Sequence, residues 1–221
     1  ETNGTITITA DATGAHIITL GRGNDSYTHT GATGISTVVG TRGNNIITTG
    51  GGADIITLGT GTDTVNSGAG NDIIISTGPS VAGSVTTARN FTSADVIDGG
   101  AGTGAGDTLQ LTTDGMTLVD TDFTNVSNVE VLTTSATTQM TSATLGAEAM
   151  GAGFTTVTLN DAGAADTYVV TAAFTNALTF NLDNDTTANS IDASASAAVI
   201  TFAAGAGTLD ATGSTLKGGT G

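Results

Sequence analysis

Aspartate recurs at one fixed position of a nine-residue period between Gly40 and Ile75. Carboxylates repeated at that spacing among glycines suit the binding of a hard cation such as Ca²⁺. In register the units are Gly40 to Thr48 (GTRGNNIIT), Thr49 to Thr57 (TGGGADIIT), Leu58 to Asn66 (LGTGTDTVN) and Ser67 to Ile75 (SGAGNDIII). Each fits most of the pattern G-G-x-G-x-D-x-U-x, in which U is a large apolar residue. Leu20 to Thr28 (LGRGNDSYT) extends the series backwards, with Asp25 sixth and Tyr27 eighth. Asp11 to Thr19 and Gly31 to Val39 are degenerate units carrying His16 and Ser36 in place of Asp, and His29-Thr30 is a two-residue slip. Downstream, Asp95-Val96-Ile97-Asp98 reads as the end of a unit. Gly99 to Gly102 opens another, which closes at Asp107-Thr108-Leu109-Gln110 after a small insertion.

In such a unit the first six residues make a turn and the last three a short strand. Glycines at the second and fourth positions (Gly50, Gly52, Gly59, Gly61, Gly68 and Gly70) permit positive φ and close backbone approach. Neighbouring carbonyls can then point inward, and the sixth-position carboxylate adds a charged oxygen. Ca²⁺ takes about six to eight oxygen ligands, more than one turn offers. Two turns stacked about 4.8 Å apart can supply them together. One full coil consumes two units, so alternate units stack. One edge is expected to carry His16, Ser36, Asp54, Asp72 and Asp107, and the opposite edge Asp25, Asn45, Asp63 and Asp95. Several calcium ions are expected, the best sites lying between Asp54 and Asp72 and around Asp63. Asn45 offers only a neutral oxygen and should bind more weakly, while the His16 and Ser36 turns should stay empty. Both histidines are expected to be surface turn residues.

The elements that position these turns follow from the same period. Eighth-position residues Ile18, Tyr27, Val38, Ile47, Ile56, Val65 and Ile74 point inward and make a thin core. Without metal, stacked carboxylates repel and glycine-rich turns cost much backbone entropy, so the repeats should be largely disordered until calcium binds. Outward positions differ between faces: Ile17, Val39, Ile55, Ile73 and Ile75 on one, Ser26, Thr28, Ile46, Thr48, Thr64 and Asn66 on the other. An exposed apolar ribbon of this kind is expected to pack on a neighbouring subunit or on the downstream domain, the alternative being simple β-propensity in a ladder. Two regions are expected. Residues 1–110 form a calcium-binding β-roll interrupted by a loop at 76–91, which holds the only proline, Pro79. Residues 111–221 form a Thr/Ala-rich, looser parallel β-solenoid or short-stranded β region. Its rungs fall at Val129 to Thr133, Thr155 to Leu159, Tyr168 to Thr171, Leu178 to Leu182, Val199 to Phe202 and Thr208 to Leu209. Ser142 to Met150 has the composition of a short helix, and Leu216 to Gly221 reads as the opening of a further unit.

Composition agrees with an all-β chain. There are 33 Gly among 221 residues, and of the 20 acidic residues only Glu1, Glu130 and Glu148 are Glu. Asp, Gly and Thr belong to turns and strands, whereas helical surfaces favour Glu and Lys. A net charge of −16 with four basic residues argues against nucleic acid or an anionic membrane as partner and favours cations. The absence of Cys excludes a disulfide framework, and no apolar run approaches the roughly 18 residues that span a bilayer.

The units LGRGNDSYT, TGGGADIIT, LGTGTDTVN and SGAGNDIII resemble those of the RTX (repeats-in-toxin) proteins. That resemblance covers about residues 11 to 110 and implies a right-handed parallel β-roll, calcium in the turns, and export by type I secretion. The remainder, including DFTNVSNVEVLTTSA from Asp122 to Ala136 and TLGAEAMGAGFTTVTL from Thr144 to Leu159, is similar in texture to RTX-containing bacterial S-layer proteins. No HExxH helix or GxSxG elbow is present, and Arg22, Arg42, Arg89 and Lys217 stand beside no acidic cluster. Asp183-Asn184-Asp185 reads as a solvated turn. The expectation is a non-enzymatic, structural segment of an extracellular bacterial surface protein that partners copies of itself. Cell-surface polysaccharide is a further candidate partner, with a spacer or ligand-binding module of an RTX adhesin as the alternative. A non-catalytic module of a secreted polysaccharide-modifying enzyme is the third reading.

Overall fold

The computed structural model describes residues 4–10, 13–31, 33–78, 90–102, 104, 106–113, 115–134, 140–160, 166–182, 189–204 and 214–220. Through the repeats, strands follow one another at the spacing the period dictates, entered from glycine-rich turns. Because alternate units stack, the strands sort into two parallel stacks. The longer is a nine-stranded sheet in the order His16–Thr19, Ser36–Val39, Ile55–Thr57, Ile73–Ser76, Thr108–Leu111, Val131–Thr134, Thr156–Leu159, Leu178–Leu182 and Ile200–Ala204. Facing it are a six-stranded sheet, Thr7–Thr9, Ser26–Thr28, Ile46–Thr48, Thr64–Asn66, Val96–Asp98 and Val126–Ser127, and then a five-stranded one. The latter comprises Met116–Leu118, Met140–Leu145, Thr167–Val170, Ser190–Asp192 and Thr215–Lys217. Every pairing is parallel, so the chain is a parallel β-roll that continues as a parallel solenoid.

The nine-stranded sheet runs past residue 110 without a break, since Thr108–Leu111 pairs with Ile73–Ser76 on one side and Val131–Thr134 on the other. What changes is the length of the coil. Residues on adjacent coils are 18 apart between Ser36 and Asp72, 20 apart at the slip, 32 to 35 apart across the interruption, and 22 to 25 apart beyond Asp107. A longer coil encloses a wider cross-section, which larger side chains fill. The narrow part is packed by Tyr27, Val38, Ile47, Ile56, Val65 and Ile74, all at most 1% exposed, whereas Phe123, Phe154, Phe174 and Phe180 fill the wide part. The two parts share one hydrophobic cluster.

Several expectations change here. The repeat core is thicker than eighth-position residues alone would make it, because first-position Leu20 and Leu58 are fully buried with Phe91, while Ile18 is only half-buried. Each such side chain contributes about 1.5–3 kcal/mol on burial. The segment expected as a helix divides in two. Ser142 to Leu145 pairs with Thr167–Val170 as strand, and the helix is Ala147–Ala152, ended by Gly153 at φ 106°. Its first turn is held by Asp120, whose carboxylate accepts the N–H groups of Gly146, Glu148 and Ala149. The strands Met116–Leu118, Val126–Ser127, Ser190–Asp192 and Thr215–Lys217 had no counterpart among the expected rungs. Their alternation is too short to register without the neighbouring coil. Asn90 donates its N–H to Thr77 O (3.0 Å) and its amide to Leu58 O (2.9 Å), which ties the two flanks of the interruption together. Pro79, Thr208 to Leu209 and Asp183-Asn184-Asp185 lie outside the described residues.

Candidate metal centre

Each sixth-position side chain stands at the start of a strand, one coil below its counterpart, and the register sorts them into two columns. Along the nine-stranded sheet, Ser36, Asp54, Asp72 and Asp107 are stacked. Asp54 Oδ1 accepts the Ser36 N–H, Asp72 Oδ1 the Asp54 N–H (2.8 Å), and Asp107 Oδ1 the Asp72 N–H (2.7 Å). The opposite column contains Asp25, Asn45, Asp63 and Asp95. There Asn45 Oδ1 accepts from Asp25 N–H (3.2 Å), Asp63 Oδ1 from Asn45 N–H (2.9 Å) and Asp95 Oδ1 from Asp63 N–H (2.7 Å). One oxygen of each Asp or Asn side chain therefore belongs to the backbone ladder.

The second oxygen carries the chemistry. Oδ2 of Asp25, Asp54, Asp72 and Asp107 is buried without a hydrogen-bond partner, and these residues are at most 1% exposed. An ionised oxygen left so in a folded protein is costly unless a cation or donor meets it. Asp63 and Asp95 are better satisfied, Oδ2 accepting from Gly59 N–H (3.1 Å) and Thr92 N–H (2.7 Å) respectively. Burial raises the pKa of Asp54, Asp63 and Asp95, and pushes Asp72 and Asp107 up to about 6. The negative charges of Asp72, Glu130 and Asp98 add to the effect at Asp107. A divalent ion would reverse that penalty by neutralising the oxygens it touches.

Backbone oxygens lie close to the same turns. Fourth-position glycines stack so that a Cβ on Gly52 would lie 2.8 Å from Gly34 O, and one on Gly61 2.3 Å from Gly43 O. Gly52, Gly61 and Gly70 have φ of 129°, 128° and 148°, in the region that only glycine occupies readily. At the second position the reason differs: Gly68 has positive φ, but Gly50 and Gly59 do not. Those two are required by proximity, since a Cβ on Gly50 would lie 2.1 Å from Gly31 O. Among the described residues no three His, Cys, Asp or Glu side chains converge as a ligand set. The columns accordingly present backbone carbonyls and carboxylate oxygens, an all-oxygen environment that fits Ca²⁺.

The degenerate turns are built differently. Ser36 Oγ lies 3.0 Å from both Tyr27 Oη and His29 Nδ1, and His29 packs edge-on against His16 with ring centroids 4.6 Å apart. His29 is fully buried and His16 half-buried, contrary to the expectation of two surface histidines. The His29-Thr30 slip folds the imidazole under Gly34, where a Cβ would lie 2.6 Å from the ring. Side-chain hydrogen bonds among Ser36, Tyr27 and His29 thus close the turn that has no carboxylate of its own. Sequence reasoning also missed Glu130, whose Oε2 accepts the Asp107 N–H (2.8 Å) and continues the column. Only its position directly before the Val131–Thr134 strand hints at this.

Residues 30–65 and 39–74 match the family model described as RTX calcium-binding nonapeptide repeat (4 copies). No curated protein and no solved structure matches the chain. Repeats of this family occur in secreted proteins, and among the described residues no helix is long and apolar enough to cross a membrane. The stacked columns, the orphaned carboxylate oxygens and the family match agree: this chain carries RTX calcium-binding nonapeptide repeats, folded as a parallel β-roll.

Proposed function

We propose that the chain is a structural, calcium-dependent self-assembling segment of a secreted bacterial surface layer or filament. The observation that carries this reading is the outer face of the nine-stranded sheet. Its outward positions run Ile17, Thr19, Thr37, Val39, Ile55 and Thr57 through the repeats, and end in Thr179, Asn181, Thr201 and Ala203. No charged residue occurs among them along all nine strands, although the chain carries a net charge of −16. The opposite face does carry charge, in Asp98 and in Asp192, which pairs with Lys217 at 2.7 Å. A long, uncharged ladder rich in Ile, Val and Thr is a surface that another copy can cover without desolvating ions. Calcium would act by ordering the coils that present it. Copies of the chain are the partner this face suits, and a cell-surface location follows from that role. The reading includes no catalytic step.

Sedimentation velocity during a calcium titration of chelator-treated protein tests this. Wild type should form large oligomers as the coil orders, and Ile55→Asp, at a position 36% exposed, should fold with calcium yet remain monomeric. A wild-type chain that orders with calcium but stays monomeric at high concentration would leave a spacer or adhesin module as the better description. Assembly undiminished in Ile55→Asp would exclude this face as the contact.

A further inference from the structure

The carboxylate column on the nine-stranded sheet does not end where the nonapeptides end. Register places Glu130 directly below Asp107, because Thr108 pairs with Val131 and the residue before each strand stacks on the one above. Glu130 Oε2 accepts the Asp107 N–H at 2.8 Å, the bond that Asp107 Oδ1 makes to Asp72 N–H at 2.7 Å. Below Glu130 the same register position is Thr155 and then Leu178, so the acids stop there.

The turn leading to Glu130 is shorter than a nonapeptide turn. Only Asn128, Val129 and Glu130 separate the Val126–Ser127 strand from the Val131–Thr134 strand, where the repeats use six residues. Two substitutions adapt it. Asn128 holds φ 54°, the one positive value among described non-glycine residues, in a turn where the repeats use glycine. Asn is among the few residues that tolerate this region. Its amide donates to Asp98 Oδ1 at 2.7 Å, which pins the turn. Glu stands where the repeats use Asp, and its extra methylene lengthens the arm of a turn that is itself cut short.

Donor atoms converge on this turn. Asp107 is fully buried and its Oδ2 has no partner. That oxygen lies 2.9 Å from where a Cβ on Gly99 would stand and 3.2 Å from one on Gly102. Glu130 Oε2 is 3.4 Å from the same Gly102 position, and Asn128 O is 2.0 Å from the Gly99 one. At two glycines that leave no room for a side chain, two carboxylates and a backbone carbonyl, all hard oxygen donors, thus come close together. We propose that Asp107 and Glu130, with the Asn128 carbonyl, hold a further calcium ion at the end of the column, outside the nonapeptide repeats. The proposal rests on calcium binding in the Asp54–Asp72–Asp107 column and is independent of assembly.

Ions bound to the whole chain are counted by native mass spectrometry and isothermal titration with calcium alone, after chelator treatment. Glu130→Gln keeps an oxygen to accept the Asp107 N–H while removing the charge. It should bind one ion fewer than wild type, with the same far-UV circular dichroism in saturating calcium. Glu130→Asp keeps the charge but shortens the arm, and should lose the same ion. This variant gives the readout should Gln disturb the coil. Equal ion counts and affinities in wild type and both variants would overturn the proposal while leaving the repeat sites intact. A wild-type chain that binds no calcium would overturn the column as well.

Discussion

Replacing Asp72 by Asn should stabilise the metal-free protein and destabilise the calcium-bound one. Asp72 is fully buried, its Oδ1 accepts the Asp54 N–H, and its Oδ2 has no partner. Burial raises its pKa from 3.8 to about 6. The sign follows directly. Below pH 3.8 the carboxyl is protonated in both folded and unfolded chains and costs nothing. As pH rises the unfolded chain ionises first, so the metal-free fold loses stability until the pH passes about 6. At about 1.4 kcal/mol per pH unit this amounts to about 3 kcal/mol, or about 2 after allowing for screening beside an open turn. Asn keeps the ladder acceptor and carries no charge. Its shape already fits this roll, since Asn45 accepts from Asp25 N–H in one column while donating to Asp63 Oδ1 (3.0 Å) and Gly43 O (3.2 Å). Urea and thermal melts of demetallated protein, with the same concentration of an excluded osmolyte populating the metal-free fold in both chains, are followed by circular dichroism between pH 4 and 8 and measure the effect. At pH 7.5 the variant should melt about 4–8 °C above wild type, given roughly 2–4 °C per kcal/mol for a chain of this size. Wild type should lose stability between pH 4 and 7, and the variant should lose less. In saturating calcium the order should reverse, because the variant has surrendered a charged ligand. A metal-free Asp72→Asn no more stable than wild type at pH 7.5 would refute the view that an uncompensated carboxylate holds the roll open.

Two further outcomes come from the same geometry. Asn45→Asp adds a charge between Asp25 and Asp63, and should tighten calcium binding at that edge by about tenfold or more, read by titration calorimetry. The same variant should be less stable than wild type once demetallated, and an unchanged affinity would show that Asn45 lies outside any site. Gly61→Ala places a Cβ 2.3 Å from Gly43 O at φ 128°, so it should lower the urea midpoint in saturating calcium by the equivalent of about 3 kcal/mol. An unaltered midpoint would mean that the coils can separate there without cost.

Much of the roll is legible in the chain itself, because a nine-residue period with apolar eighth positions permits few arrangements. Once two units make a coil, the stacking of Asp54 on Asp72 and of Asp63 on Asn45 follows from counting, and the structure has that register. The identity of the ion follows from hard oxygen donors at fixed phase, a property of residue type and spacing. Other features depend on contacts that counting does not reach. The strand at Met140–Leu145 overrides local helix preference because its backbone groups meet Thr167–Val170 on the next coil. His29 is buried because a two-residue slip turns its ring toward Ser36 and His16, and no sequence rule says into which side of a turn a slip will fold.

Glu130 marks the division most clearly. Its place below Asp107 depends on coils of unequal length, 18 residues in one case and 23 in the other, closing on the same sheet. Local sequence therefore determines the repeated unit, since each unit's turn and strand are encoded within nine residues. Where that period lapses, backbone pairing between coils decides which side chains become neighbours, because hydrogen-bond register acts between residues whose separation along the chain is free to vary.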